Sequence, residues 1–308
     1  MFFRRGAVFD PDQDIPDLAG KVILVTGGNN GLGKETIRQL AKHNPSHIYL
    51  GARSAAKAAA AIADIKTATP AAAITVLEVD LASLSSVARA AKTLTALTPR
   101  LDLLVNNAGV FATPPGLTED GYELQFGTNH VGPALLTLLL LPLLAAAPDA
   151  RVVTISSALH ASAPAPGLRL NEVKSPMDDV GTVARYGQSK LANLLFTRAL
   201  AKRNPSVTAV AVHPGVVRTG IVDGPMEHPI MAKLFKFVGR MAFVDVETGA
   251  LGQLWASVAA KGQVESGAMY NPVGKLFEGR RSRKDQEMEE ELWEWTVREL
   301  KGKGFLEG

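Results

Sequence analysis

Cysteine is absent from all 308 residues. That absence alone excludes a disulfide framework, a thiolate zinc site and a cysteine nucleophile. The six histidines show no ligand spacing, so no metal site is expected. Long apolar runs are scarce too. The longest, 135–147, is interrupted by Thr137 and Pro142. It is shorter than a bilayer requires, and a buried core helix is expected there rather than a membrane span. The opening residues Met1-Phe2-Phe3-Arg4-Arg5-Gly6 are not followed by an apolar stretch. No signal peptide is therefore expected, and the default address is cytoplasmic. Nor does one sign of charge dominate. The formal net charge is +3, and the basic cluster Arg280-Arg281-Ser282-Arg283-Lys284 runs straight into an acidic stretch over 285–291. A nucleic-acid face needs basic charge left uncancelled. A solvated, mixed-charge helix is the expectation here, with no nucleic-acid partner.

What is present is a globular composition, 46% hydrophobic and 20% charged, on a chain long enough for a full core. Apolar runs over 21–26, 47–51, 74–79, 101–106, 151–156 and 207–213 read as six strands. Helical stretches lie between them over 34–42, 55–67, 83–97, a long segment ending near 144, and 183–202. Strands that are apolar throughout, rather than alternating, are buried on both faces. Alternating with helices, they predict right-handed crossovers and an α/β, doubly wound parallel sheet with helices on both faces. No repeat, linker or composition break divides the chain, so one domain is expected over 1–308.

The first strand runs into Thr26-Gly27-Gly28-Asn29-Asn30-Gly31-Leu32-Gly33. Glycines that follow a strand and open a helix let the backbone approach a pyrophosphate, and the helix N-terminus then offers free N–H groups. The spacing T-G-x-x-x-G-x-G resembles the short-chain dehydrogenase/reductase superfamily, and the resemblance extends from about Gly20 to Tyr270. It implies a Rossmann fold with Gly27, Asn29, Gly31, Leu32 and Gly33 at the cofactor. The end of the second strand, Leu50-Gly51-Ala52-Arg53-Ser54, lacks the carboxylate that holds the ribose hydroxyls of NAD. Arg53 could clamp a 2′-phosphate instead, so NADP(H) is the expected cofactor. Asp80 and Leu81 resemble the family's adenine contact, although Asp80 could equally cap the next helix. Asn106-Asn107-Ala108-Gly109 matches the family's NNAG turn and places Asn107, Ala108 and Gly109 at the cofactor.

Tyr186-Gly187-Gln188-Ser189-Lys190 puts Tyr and Lys at i and i+4, on one face of a helix. A free phenol is a poor acid–base group at neutral pH. A lysine ammonium one turn away, joined by the positive nicotinamide of the oxidised cofactor, is expected to lower its pKa. Tyr186 is then the acid or base. The resemblance gives Lys190 the nicotinamide ribose and Ser157 the substrate oxygen, with Ser156 as a rival. It gives Asn129 a water-mediated relay to Lys190, although a buried Asn could simply satisfy backbone groups. Pro133 is expected to disturb that helix. Pro214, Gly215, Val217 and Thr219, in the segment after the sixth strand, match the family's P-G-x-x-x-T pattern at the nicotinamide.

The long stretch 158–185 between Ser157 and Tyr186 is expected as an active-site insert, and 1–19 as an N-terminal extension. Together with Asn193 in the run after Lys190, the insert resembles the retinol-dehydrogenase and WW-domain-oxidoreductase-like branch. The segment 14–21 resembles that branch's fungal members. The anchor helix of membrane-bound retinol dehydrogenases is not seen, so a retinoid is not the expected substrate. Residues 220–245 resemble the family's substrate lid, and their Met and Phe content suggests an apolar or aromatic carbonyl or alcohol. An amphipathic helix packed on the core would leave the same pattern. A homodimer stays open, as does a non-catalytic NADP(H) sensor or scaffold, although such proteins commonly lose the Tyr or Lys that is intact here.

Overall fold

In the computed structural model, residues 8–217, 244–279 and 282–307 are described. Eight strands form one sheet in the order β3-β2-β1-β4-β5-β6-β7-β8. They are β1 (Val22–Thr26), β2 (His47–Ala52), β3 (Ile74–Glu78), β4 (Leu103–Asn106), β5 (Ala150–Ile155), β6 (Val207–Val212), β7 (Met269–Asn271) and β8 (Lys275–Leu276). The first seven run parallel and β8 returns antiparallel to β7. The expected six strands are all present. The short pair β7 and β8 adds an edge that the apolar pattern did not announce.

Among the described residues the α-helices are α1 (Pro11–Asp14), α2 (Gly31–Ala41), α3 (Ala55–Ala68), α4 (Leu84–Leu97), α5 (Leu124–Phe126), α6 (Gly132–Ala145), α7 (Thr182–Arg203), α8 (Val246–Val258) and α9 (Arg283–Gly302). Alternation within β1 shows why both faces must be covered. Leu24 joins the core beneath α4, α6, α7 and α9, whereas Ile23 and Val25 join the core beneath α2, α3 and α8. The crossovers reverse direction between β1 and β4. In doubly wound sheets a ligand crevice opens at such a reversal, outside the carboxyl ends of the strands. The turns after β1 and β4 lie there.

Two expectations need correction, and a third is met in a particular form. Pro133 disturbs the helix before it without ending it. A π-helical turn, Gly127–Val131, joins α5 to α6, so the helix runs on from Leu124 to Ala145. The wide turn accommodates the residue that cannot donate an N–H one turn back. That 22-residue helix is also long and apolar enough to cross a membrane by length and composition, although about two thirds of its apolar window is buried inside the protein. Finally, the mixed-charge segment near the C-terminus is a helix, as expected, but not merely a solvated one. Ser282 and Asp285 form a capping box, and Met288, Leu292, Trp295 and Leu300 of α9 are buried in the core.

The insert is fastened rather than loose. Glu123 N donates to Val173 O at 2.7 Å, and Arg169 N to Gln188 Oε1 at 2.7 Å. Beneath it, Arg185 and Glu123 form a fully buried ion pair at 3.0 Å. Burial pushes the Glu123 carboxyl upward, while backbone N–H groups and Arg185 draw it back. Arg185 also donates to Val180 O and Thr113 O. Removing one partner of such a pair leaves an uncompensated charge.

The approach of α6 to the chain after β3 depends on Gly132, where an added Cβ would sit 2.2 Å from Leu81 O. Alanine ordinarily gains about 1 kcal/mol over glycine in a helix. Here the backbone clash outweighs that gain, and Gly132→Ala is expected to destabilise the fold by about 1–3 kcal/mol. Gly181→Ala, where a Cβ meets nothing within 4 Å, should stay within ~0.5 kcal/mol of the parent. Urea denaturation of the two variants checks both. Equal midpoints would contradict the packing at Gly132.

Candidate active site

The turn after β1 is built on two positive-φ glycines, Gly27 (67°) and Gly31 (51°). Gly27 N and Gly28 N donate to Gly51 O at 2.7 and 3.3 Å, which ties the turn to β2. A Cβ on Gly33 would fall 2.4 Å from Gly27 O and 2.5 Å from Asn107 Nδ2. No side chain fits there. Asn30 caps α2 and accepts from Gly31 N at 2.8 Å, while Asn29 is half-buried and Leu32 lies against α8. The turn after β4 is stitched to the same place. Asn107 N and Ala108 N both donate to Thr26 Oγ1 at 3.1 Å, and Asn107 Nδ2 donates to Thr26 O at 2.8 Å. The two turns therefore form one rigid backbone cradle, which fits a pyrophosphate beside the α2 N-terminus.

Around the cradle, Arg53 follows β2 directly, is exposed, and makes no ion pair among the described residues. Ser54, not Arg53, caps α3. Asp80 is half-buried, and its carboxylate accepts from Ala82 N at 2.9 Å. It does not cap α4. The cap residue is Ser83, and Asp120 Oδ2 accepts from Leu84 N at 2.7 Å in the role of a cap. Leu81 is buried. Pro214 and Gly215 follow β6, Gly215 with a φ of 87°. Val217 bridges in parallel to Val244, and a Cβ on Gly249 of α8 would meet it. Thr219 and nearly all of the expected lid lie outside the described residues.

A second group of side chains meets beyond the ends of β4 and β5. Tyr186 and Lys190 lie on α7, both buried, with Lys190 Nζ 5.6 Å from the centre of the Tyr186 ring. Nζ donates to Ile155 O at 2.8 Å and approaches Gly109, where an added Cβ would be 3.5 Å away. The two serines after β5 separate cleanly. Ser156 is 1% exposed and donates to the backbone carbonyl of Lys190 at 2.8 Å. Ser157 caps the short 3-10 turn Ala158–Ser162 and hydrogen-bonds the Tyr186 hydroxyl. Ser157 is thus the serine at the phenol.

Asn129, in the π turn, spends its side chain on the protein. Oδ1 accepts from Val110 N at 2.7 Å, and Nδ2 donates to Val110 O at 2.9 Å and Ser189 Oγ at 3.0 Å.

Burial pushes the Tyr186 phenol up to about 12, with the Ser157 hydrogen bond acting against it. The downward pull expected from lysine does not prevail in the protein alone. Burial also brings Lys190 down to about 8, so it stays mostly protonated at neutral pH. Phe111 stands edge-on to the Tyr186 ring at 4.7 Å, with Leu159 packed against them.

Sequence reasoning missed Gln253. It is fully buried on α8, and its Nε2 reaches Leu32 O, Thr36 Oγ1 and Asn107 Oδ1. A lone amide on an otherwise apolar helix face was the available signal.

Two imidazoles near the site are held neutral. Burial lowers His130 to about 3, with an Asn193 hydrogen bond opposing, and lowers His213 to about 4, with His160 adding to the effect. Both folded values lie below the ordinary 6.5. The unfolded chain therefore binds the extra protons. Their contribution is fully present above about pH 6.5 and is lost as pH falls toward the folded values. Urea midpoints between pH 7 and 4.5 should fall less steeply for His130→Phe or His213→Phe than for the parent. Parallel curves would contradict this assignment.

A family model described as short chain dehydrogenase matches residues 21–168. The chain is 37% identical to the short-chain dehydrogenase/reductase drtF of Aspergillus calidoustus, over 95% of this chain and 98% of the relative. It is 36% identical to retinol dehydrogenase 12 of Mus musculus, over 94% and 89%. Among solved structures, an uncharacterised protein from Mycobacterium Paratuberculosis superposes with a TM-score of 0.71 at 33% identity, covering 94% of this chain and 96% of that one.

Proposed function

The chain belongs to the short-chain dehydrogenase/reductase family, and we propose that it is an NADP(H)-dependent oxidoreductase interconverting a carbonyl and an alcohol on an apolar or aromatic small molecule. The observation that carries this reading is the meeting of half-buried Ser157 with buried Tyr186 and Lys190 beside Gly109, next to a backbone cradle that excludes any side chain at Gly33. When bound, NADP(H) supplies or takes up the hydride.

The residues of this chain bind, orient and move the proton. Gly27, Asn29, Gly31, Leu32 and Gly33 would hold the pyrophosphate, and Asp80 and Leu81 the adenine. Arg53, exposed and without an ion pair among the described residues, would hold the 2′-phosphate, because a guanidinium meets phosphate in a bidentate fork. Asn107, Ala108 and Gly109 would back the cofactor, with Pro214, Gly215, Val217 and Thr219 at the nicotinamide and Lys190 at its ribose. Tyr186 gives its phenolic proton to the carbonyl oxygen in reduction and takes it back in oxidation, and Ser157 hydrogen-bonds that same oxygen. A phenol near 12 needs neighbouring positive charge to serve near neutral pH, and the Lys190 ammonium supplies part of it. The Asn129 backbone would anchor a water path by which Lys190 restores the proton.

Phe111 and Leu159 beside Tyr186, and Phe277 against His160 at 5.2 Å, favour an apolar or aromatic substrate. Leu124–Ala145 acts as a core helix in this reading, since its α6 part packs against α4, β4 and β5.

Tyr186→Phe should lower turnover on a panel of lipophilic aldehydes, ketones and quinones by at least ~10²-fold with NADPH affinity little changed. Lys190→Ala should damage both. Arg53→Ala should weaken NADPH by roughly 10- to 150-fold and leave NADH unchanged, the range for a hydrogen bond to a charged group. Steady-state rates and paired dissociation constants test these. Near-normal turnover in Tyr186→Phe, or equal losses for both nucleotides in Arg53→Ala, would refute the corresponding role.

A further inference from the structure

Lys190 does not hold the Ile155 carbonyl alone. Asn193, three residues on along α7, donates its Nδ2 to the same oxygen at 3.2 Å, beside the 2.8 Å bond from Lys190 Nζ. Since Asn193 donates there, its amide oxygen is left to accept, and its partner is His130 of the π turn. The other ring nitrogen of His130, Nε2, lies 3.1 Å from Thr296 Oγ1 on α9. All four side chains are buried, Lys190 at 3%, Asn193 at 4%, His130 at 1% and Thr296 at 0% exposure. With the His130 ring proton assigned to Nδ1, the donors run one way, from the Thr296 hydroxyl to Nε2, from Nδ1–H to the Asn193 amide oxygen, and from Asn193 Nδ2 to Ile155 O.

We propose that His130 and Asn193, held by Thr296, are positioning residues that fix the Ile155 carbonyl and through it the Lys190 ammonium. A buried lysine has a long side chain with much rotamer freedom to lose, and one carbonyl on a strand end defines its direction weakly. A second donor on that carbonyl restricts where its lone pairs point. The π turn makes the arrangement accessible, because it brings Asn129 to Ser189 and His130 to Asn193, one helical turn apart on α7. The far end is anchored by α9, whose Trp293 stacks on Phe196 at 5.3 Å and whose Trp295 meets Phe126 at 5.7 Å. The C-terminal helix is therefore a structural part of the catalytic group, 106 positions beyond Lys190 at Thr296.

This inference rests on the role proposed above for Lys190, and a double-mutant cycle separates the two. NADPH dissociation constants, from nicotinamide fluorescence, and pH profiles of kcat are measured for the full chain. Asn193→Leu should raise the NADPH dissociation constant by about tenfold and shift the pH profile. On a Lys190→Ala background the same change should act by less than about twofold, because the group it positions is gone. Thr296→Val should move both readouts in the same direction, while Thr296→Ser, which keeps the hydroxyl, stays with the parent. Additive effects of Asn193→Leu and Lys190→Ala would overturn the relay alone, as would identical behaviour of Thr296→Val and Thr296→Ser. No effect of Lys190→Ala on either readout would overturn the role of Lys190 and the relay with it.

Discussion

A lysine ammonium buried against a single strand-end carbonyl is the constraint around which the rest of the site is arranged. Charge taken out of water is costly unless hydrogen-bonded, and burial already brings Lys190 down to about 8. What surrounds it keeps that position usable. Ser156 holds the lysine's own backbone carbonyl, Gly109 lets the β4 turn come close, and Asn193 shares the Ile155 oxygen. Tyr186 sits one helical turn away, with its ring braced by Phe111.

The sheet puts this constraint where a nucleotide can reach it. The switch between β1 and β4 opens the crevice, Thr26 joins the two turns that floor it, and Gln253 ties α8 to both. The same helix α8 packs at Gly249 against Val217 and Leu32, so the stretch leading into the expected lid is coupled to the phosphate-binding turn.

Much of this was legible because two-sided burial leaves an unmistakable pattern. Five of the six expected strands are almost unbroken apolar runs, and their spacing alone implied parallel crossovers. The boundaries moved where polar groups intervene. β4 begins at Leu103 because Asp102 is occupied as a buried carboxylate, accepting from Val22 N, Lys21 and Arg100. Adjacent serines could not be separated by pattern, since neighbours at a strand end face opposite ways and only packing says which way is the site. The apolar stripe of α9 was masked by its charges, although Met288, Leu292 and Trp295 keep a helical interval. β7 and β8 are too short for any period to emerge. The form of the disturbance at Pro133 was not legible, because a proline says only that a helix is disturbed and the fold shows the π turn that results.

The central claim is that Tyr186 is the group whose proton moves, made competent by neighbouring positive charge. Its ionisation can be followed by ultraviolet difference absorbance between the parent and Tyr186→Phe across pH, with and without NADP⁺. The account predicts a phenol that stays protonated to about 12 in the protein alone and titrates well below that value when NADP⁺ is bound. A titration midpoint that NADP⁺ leaves unmoved would contradict it.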